Sequence, residues 1–211
     1  MRVQLKDTIT LQTNLSLDQS YIVYEIESTA SGNTYYRIEN DVKQVVPYDS
    51  TLFDVVSDKL YGEWTVLKKS NQSSARVPGE FAYIPFWEEF YNDDPRALRA
   101  FRQVKARLYL AELEAFEIKD ILESNNEDEI YFVFNMLIRT KCDIFTHEVI
   151  QFAKTRLVEH IYSEDDLLIA AFEYLSLFKE EYIHAFFIDY LTNIELGNDK
   201  LTKIVSSYFA S

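Results

Sequence analysis

The chain has 211 residues, with 35 acidic against 21 basic side chains and a net charge of −14, the opposite of the basic footprint that nucleic-acid binding requires. Four Gly and four Pro among 47% hydrophobic residues exclude a low-complexity or disordered chain and leave enough apolar material for one larger core or two small ones. Cys142 is the only cysteine, so no intramolecular disulfide can form. The first residues lack a signal peptide's apolar run, and no stretch reaches the ~20 apolar residues of a membrane span; the expectation is a cytoplasmic protein that engages neither membrane nor nucleic acid.

Residues 1–85 read as strands and turns. The segments 21–27, 34–39, 52–56 and 63–69 are rich in β-branched and aromatic residues, as strands are. Residues 28–33 form a hairpin loop with Gly32-Asn33 at its tip, 47–50 a turn, and 70–79 an exposed polar loop. Five or six short strands in some eighty residues suit a small barrel, because closure removes exposed edges. The connector that follows, at 86–94 with its aromatic lead-in from 80, carries Phe81, Tyr83, Phe86, Trp87, Phe90 and Tyr91. Such a ring cluster serves as glue between two lobes or, alternatively, as a ligand cleft.

From 95 to 211 the pattern is helical. Asp94-Pro95 is a helix start. Apolar residues then recur at helical spacing from Leu98 through Phe101, Val104, Leu108, Ala111, Ala115 and Ile118 to Leu122, which predicts one long helix. Its charge flips along its length: five basic residues and no acid from Arg96 to Ala111, then five acids and one Lys from Glu112 to Glu123. Further helices are predicted at 129–140, 144–161, 164–178, 181–196 and 199–210. Ser163 with Asp166 gives one capping signal, and Gly197 followed by Asn198 ends one helix and starts the next. The fold class is therefore α+β: an N-terminal barrel (1–85), an aromatic connector (86–94) and a C-terminal bundle of about six helices (95–211). Short links favour antiparallel neighbours, and a bundle or a short irregular solenoid both satisfy the pattern.

Reaction chemistry is sparse. His147, His160 and His184 are the only histidines; none lies in a zinc-protease motif, and Cys142 has no partner at zinc-finger spacing. Glu181 and His184 make a single Glu-x-x-His where a di-metal bundle needs two. Four glycines leave little from which to build a phosphate-cradling loop, so no catalytic residue, cofactor or metal is expected. The acid is concentrated late in the chain: residues 112–211 carry 8 basic and 20 acidic side chains, a net of −12. Glu127-Asp128-Glu129 and Glu164-Asp165-Asp166 each sit at a predicted helix N-terminus, where carboxylates stabilise the helix dipole by roughly 0.3–1 kcal/mol apiece. Together with Glu112 and Glu114, and with Tyr131 and Tyr162 as aromatic anchors, they also form a candidate surface for a basic protein partner.

The run from Ser20 through "SYIVYEI", "YYRIEND" and "PYDSTLFDVVSDKL", followed by "FWEEFYNDDPRALRAFRQVK", resembles small bacterial proteins with an SH3-like barrel. Such domains occur among the immunity proteins of polymorphic-toxin and contact-dependent growth inhibition systems. The similarity covers about residues 15–110 and supplies no catalytic residues. It implies an immunity protein, or antitoxin, that blocks the active site of a cognate toxin domain, such as a basic nuclease of the EndoU-like RNase kind. Two other functions fit the residues: an intracellular adaptor binding a peptide through Tyr35, Tyr36, Tyr48 and Trp64 on the barrel, and an enzyme with a pocket gathering His147, His160 or His184 beside carboxylates.

Overall fold

The computed structural model describes residues 1–6, 14–69, 72–159, 165–193 and 199–210. His160, Tyr162, Ser163, Glu164, Gly197 and Asn198 lie outside the described residues. The chain forms two compact units, Met1–Leu113 and Glu114–Ser211.

The described residues of the first unit hold seven strands: β1 (Arg2–Leu5), β2 (Ser20–Ser28), β3 (Thr34–Glu39), β4 (Val45–Asp49), β5 (Phe53–Ser57), β6 (Trp64–Lys68) and β7 (Ser74–Pro78). All pairings are antiparallel, in the order β4-β3-β2-β1-β5, with β7 on β2 and β6 on β7. The organising strand is β2. Its first residues pair with β1 and its last with β7, and the register against β3 shifts between Val23 and Glu25. One bent strand therefore serves two halves of the sheet. The described pairings do not close this sheet into the expected barrel: β4, β5 and β6 each pair on one side only.

Three strands were not expected. β1 is only four residues long, yet it buries Val3 and Leu5 and pairs on both sides. β4 contains Pro47, which is tolerated because β4 is an edge and needs no second ladder. β7 lies inside the expected polar loop 70–79; its buried Ala75 and Val77 alternate correctly, but Ser, Arg and Pro around them mask the period. The hairpin loop at 28–33 is present, with Gly32 at φ +86° and Thr29 N–H donating to the Asn33 carbonyl at 2.9 Å.

Two apolar clusters flank β2. Val3, Leu5, Leu15, Tyr21, Val23, Ile38 and Phe53 pack on one side, with Tyr36 and Tyr48 half-buried against them. On the other, Tyr24 meets Phe101 at 4.9 Å between ring centroids, and Phe101 meets Phe90 at 4.8 Å. Phe90 belongs to helix α1 (Phe86–Tyr91) and Phe101 to α2 (Pro95–Glu112). The aromatic run is thus glue within the first unit, where it fixes α1 and α2 to the sheet.

Asp94 caps α2 as expected, accepting from Arg96 N–H at 2.8 Å and Ala97 N–H at 3.1 Å, with Pro95 in the first turn. The long helix predicted to Leu122 is instead two helices. Leu113 is extended (ψ 137°), and α3 (Ala115–Leu122) restarts after Glu114, whose N–H donates to Glu117 Oε2 at 2.8 Å. With α1 and this break, the described residues contain eight helices where about six were expected. The unit boundary coincides closely with the sign reversal along the chain. Met1–Leu113 has 13 basic and 16 acidic side chains, net −3, and Glu114–Ser211 has 8 and 19, net −11.

The second unit comprises α3, α4 (Glu127–Thr140), α5 (Thr146–Glu159), α6 (Asp166–Leu175), α7 (Glu181–Asn193) and α8 (Asp199–Ala210). Helix α6 is apolar nearly all round. Leu167, Leu168, Ala170, Ala171, Phe172, Tyr174 and Leu175 are buried, and it packs against α4, α5 and α8. A helix of that composition is stable only at the centre of its unit. No described helix is long and apolar enough to cross a membrane.

Candidate functional site

The expected acidic surface separates into buried and exposed members. Glu112 is buried in the first unit, where it accepts from the Met1 ammonium, and Arg2 Nε lies 4.0 Å away. Glu129 is buried in the first turn of α4, where its N–H donates to the capping Asn126 Oδ1 at 3.2 Å. Asp165 is buried as the N-cap of α6, accepting from Leu167 N–H at 3.0 Å and Leu168 N–H at 3.3 Å. Its second oxygen takes Arg156 Nε at 2.5 Å, and Glu127 takes Arg156 Nη2 at 2.9 Å. Burial works against the Arg156 charge, but these two carboxylates outweigh it and hold the guanidinium's pKa above its ordinary value. Glu127 remains solvent-accessible despite this contact; Glu114, Asp128, Tyr131 and Asp166 are exposed. Of the proposed contact residues, Glu114, Glu127, Asp128, Tyr131 and Asp166 are therefore available to a partner, whereas Glu112, Glu129 and Asp165 work inside the fold. Tyr162 and Glu164 are outside the described residues.

Of the aromatics named for peptide binding, Tyr36 and Tyr48 are cross-strand partners in β3 and β4, while Trp64 belongs to β6. Tyr36 and Tyr48 pack near Phe53, at 6.2 and 6.3 Å between centroids, and Trp64 Nε1 donates to the Tyr61 carbonyl at 3.1 Å. A recess of about 280 Å³ lies beside Trp87, with Tyr83, Phe86, Glu25, Arg37 and Lys69 among its lining. Glu25 is fully buried and takes Arg37 Nε at 3.2 Å and Lys69 Nζ at 2.7 Å. The Arg37 guanidinium sits 4.5 Å from the Trp87 ring centroid and donates to Tyr91 Oη at 2.6 Å. This network joins β2, β3 and α1. Its members are spread from 25 to 91, so no local motif marks them.

In the helical unit a groove of about 460 Å³ runs between α3 and α5. Lys119 comes from α3 and Glu123 from its C-cap; Glu148, Gln151, Phe152 and Arg156 come from α5. Glu148 was not singled out from sequence; the polar steps Glu148, Gln151 and Thr155 along α5 are the signal that marks this face. The histidines form no catalytic group among the described residues: His147 stacks on Tyr182 at 4.2 Å, and His184 meets Phe209 edge-on at 4.7 Å. No hydrogen bond joins Cys142 to His147; the Cys142 carbonyl accepts from Tyr174 Oη at 2.6 Å. No family model, no curated protein and no solved structure matches the chain.

Proposed function

We propose that this protein is an immunity protein that acts in the cytoplasm by binding a basic toxin domain, a nuclease of the EndoU-like kind among the candidates, and covering its active site. The observation that carries this reading is the charge asymmetry between the units, with −11 of the −14 net charges in Glu114–Ser211. Glu114, Glu127, Asp128 and Asp166 face solvent there, as does Tyr131, a composition suited to steering a cationic surface and anchoring it with an aromatic. The SH3-like reading of the sheet unit is supported by the bend in β2 and by the two halves it joins.

The test is inhibition of, and binding to, a basic toxin domain encoded beside this protein's gene. Association should slow steeply as salt rises, and Asp128→Lys with Asp166→Lys should lower the on-rate roughly tenfold while leaving dissociation nearly unchanged. An on-rate insensitive to salt and to both reversals would reject the steering mechanism, and a lack of inhibition would reject the function. A second reading, an adaptor that takes a peptide on the sheet unit, is favoured by the recess beside Trp87. Trp87→Ala abolishing peptide-array binding by the full chain would move the assignment there.

A further inference from the structure

Glu148 is half-buried in the lining of the groove between α3 and α5; its Oε2 is buried without a donor among the described residues, and its accessible oxygen, Oε1, has no hydrogen-bond donor among them either. A buried carboxylate oxygen without a donor is costly, and native structures rarely keep one without a use. The other charges lining the groove are engaged. Lys119 lies 3.6 Å from Glu123, and Arg156 is held by Asp165 and Glu127. Counting those partners, four carboxylates (Glu123, Glu127, Glu148 and Asp165) face two cations (Lys119 and Arg156). The surplus is negative, and the vacant acceptor is Glu148.

From this geometry we infer that the groove is a receptor for a guanidinium group, supplied by an arginine side chain of a partner protein. Glu148 accepts from its N–H groups through the accessible Oε1, and Gln151 and Asn125, which line the same groove, carry further amide oxygens. The Phe152 ring already lies 5.6 Å from the Arg156 guanidinium, and the His147–Tyr182 stack lies at the His147 end of the same wall. A planar cation with several in-plane donors matches this mixture of aromatic faces and separated acceptors better than a compact ammonium does. A metal ion is a poorer match, since no three His, Cys, Asp or Glu side chains among the described residues gather to hold one.

The inference deepens the antitoxin reading by naming what the partner inserts, and only its final step, the arginine's belonging to a toxin, rests on that reading. The full chain, ¹⁵N-labelled, is titrated with N-acetyl-arginine amide, with N-acetyl-lysine amide as comparator. The arginine probe should give saturable shifts confined to Asn125, His147, Glu148, Gln151 and Phe152. Glu148→Gln should weaken it at least roughly tenfold, the loss expected for one charge-assisted hydrogen bond, and Glu181→Gln, at an exposed position of α7, should not. Gln151→Arg, which places a tethered guanidinium one turn from Glu148, should block the probe without removing any buried group. Equal shifts from the lysine probe, no saturable shifts, or undiminished binding in Glu148→Gln would each overturn the assignment. A chain that takes the probe but inhibits no toxin keeps the groove and loses the antitoxin function; one that inhibits a toxin equally well as Glu148→Gln does the reverse.

Discussion

The two units treat charge in opposite ways. In the sheet unit, carboxylates are spent on internal pairing: Glu25 with Arg37 and Lys69, Glu39 with Lys105 at 2.7 Å, Glu80 with Arg107, and Glu112 with the Met1 ammonium. In the helical unit, the ion pairs among the described residues centre on Arg156 and Lys119, and most of the remaining acids face solvent. The same side chains therefore fix geometry in one half and project a field from the other. Net charge alone, read over the whole chain, does not separate these roles. On the proposed reading the charge in the helical unit is the part used for recognition, because an unpaired exposed carboxylate contributes little to stability and acts on partners at a distance.

The largest test of this contrast removes one ring from each core. Phe81 stacks on Phe86 at 4.1 Å, and Phe172 contacts Phe187 and Tyr190 at 5.5 and 4.9 Å. Phe81→Ala and Phe172→Ala should each cost about 3–5 kcal/mol. Trp64 and Trp87 both lie in the sheet unit, so denaturation followed by tryptophan fluorescence reads the first change and helical circular dichroism the second. Fluorescence midpoints that shifted equally for both variants would blur the contrast between two self-contained cores.

Next in size is Asp165→Ala, which removes an N-cap and leaves Arg156 without its shortest partner. A loss of about 2–4 kcal/mol in chemical denaturation is expected, against under 1 for Asp166→Ala one residue on. Equal losses would mean that the buried and exposed acids of this cluster are not distinct in role.

Glu80 gives a smaller, pH-dependent effect. The Arg107 hydrogen bonds hold its carboxyl below the ordinary glutamate value. The stabilisation is therefore fully present above that ordinary value, about 4.3, and is lost as pH falls through the lower folded-state value. Stability of wild type should decline faster than that of Glu80→Gln below about pH 4.3, measured by urea denaturation at a series of pH values. Identical acid slopes would show that the pair contributes nothing to pH dependence.

The smallest effect is a gain. Lys141 ends α4 in the left-handed region at φ 49°, with Cys142 N–H donating to the Leu137 carbonyl at 3.3 Å. That position favours glycine, so Lys141→Gly should raise stability by about 0.5–1 kcal/mol. It also makes the helical unit one charge more negative, so under the proposed antitoxin reading association with the basic partner should quicken slightly at low salt.

Most helices were legible from sequence because each carries an apolar stripe at a 3.6-residue period; α4 to α8 fall within a few residues of their expected spans. The break at Leu113 was hidden for the same reason. Ala111, Ala115, Ile118 and Leu122 keep helical spacing across it, and periodicity does not register a one-residue interruption of the hydrogen-bond ladder. What did mark it was the switch of charge after Arg107 and the Glu114-x-x-Glu117 capping pattern. β1, β4 and β7 escape a sequence reading because a strand of four or five residues needs only two inward side chains, and in β4 and β7 Pro or Ser further masks the alternation. The exposed part of the acidic surface was readable, whereas the burial of Glu112, Glu129 and Asp165 depends on neighbours far along the chain. Trp87 and Arg37 meet across fifty residues for the same reason, and Glu148 looks like any first-turn acid until α3 is placed beside it.

The extended backbone at Leu113 has a practical consequence for dissecting this molecule. Its N–H closes the last turn of α2 on the Tyr109 carbonyl, while Glu114 opens α3 with its own carbonyl accepting from Ile118 N–H. Severing the peptide between Leu113 and Glu114 would leave both helical ladders whole, so that bond is the natural seam for expressing the halves separately or joining them by ligation with isotope label in one half alone.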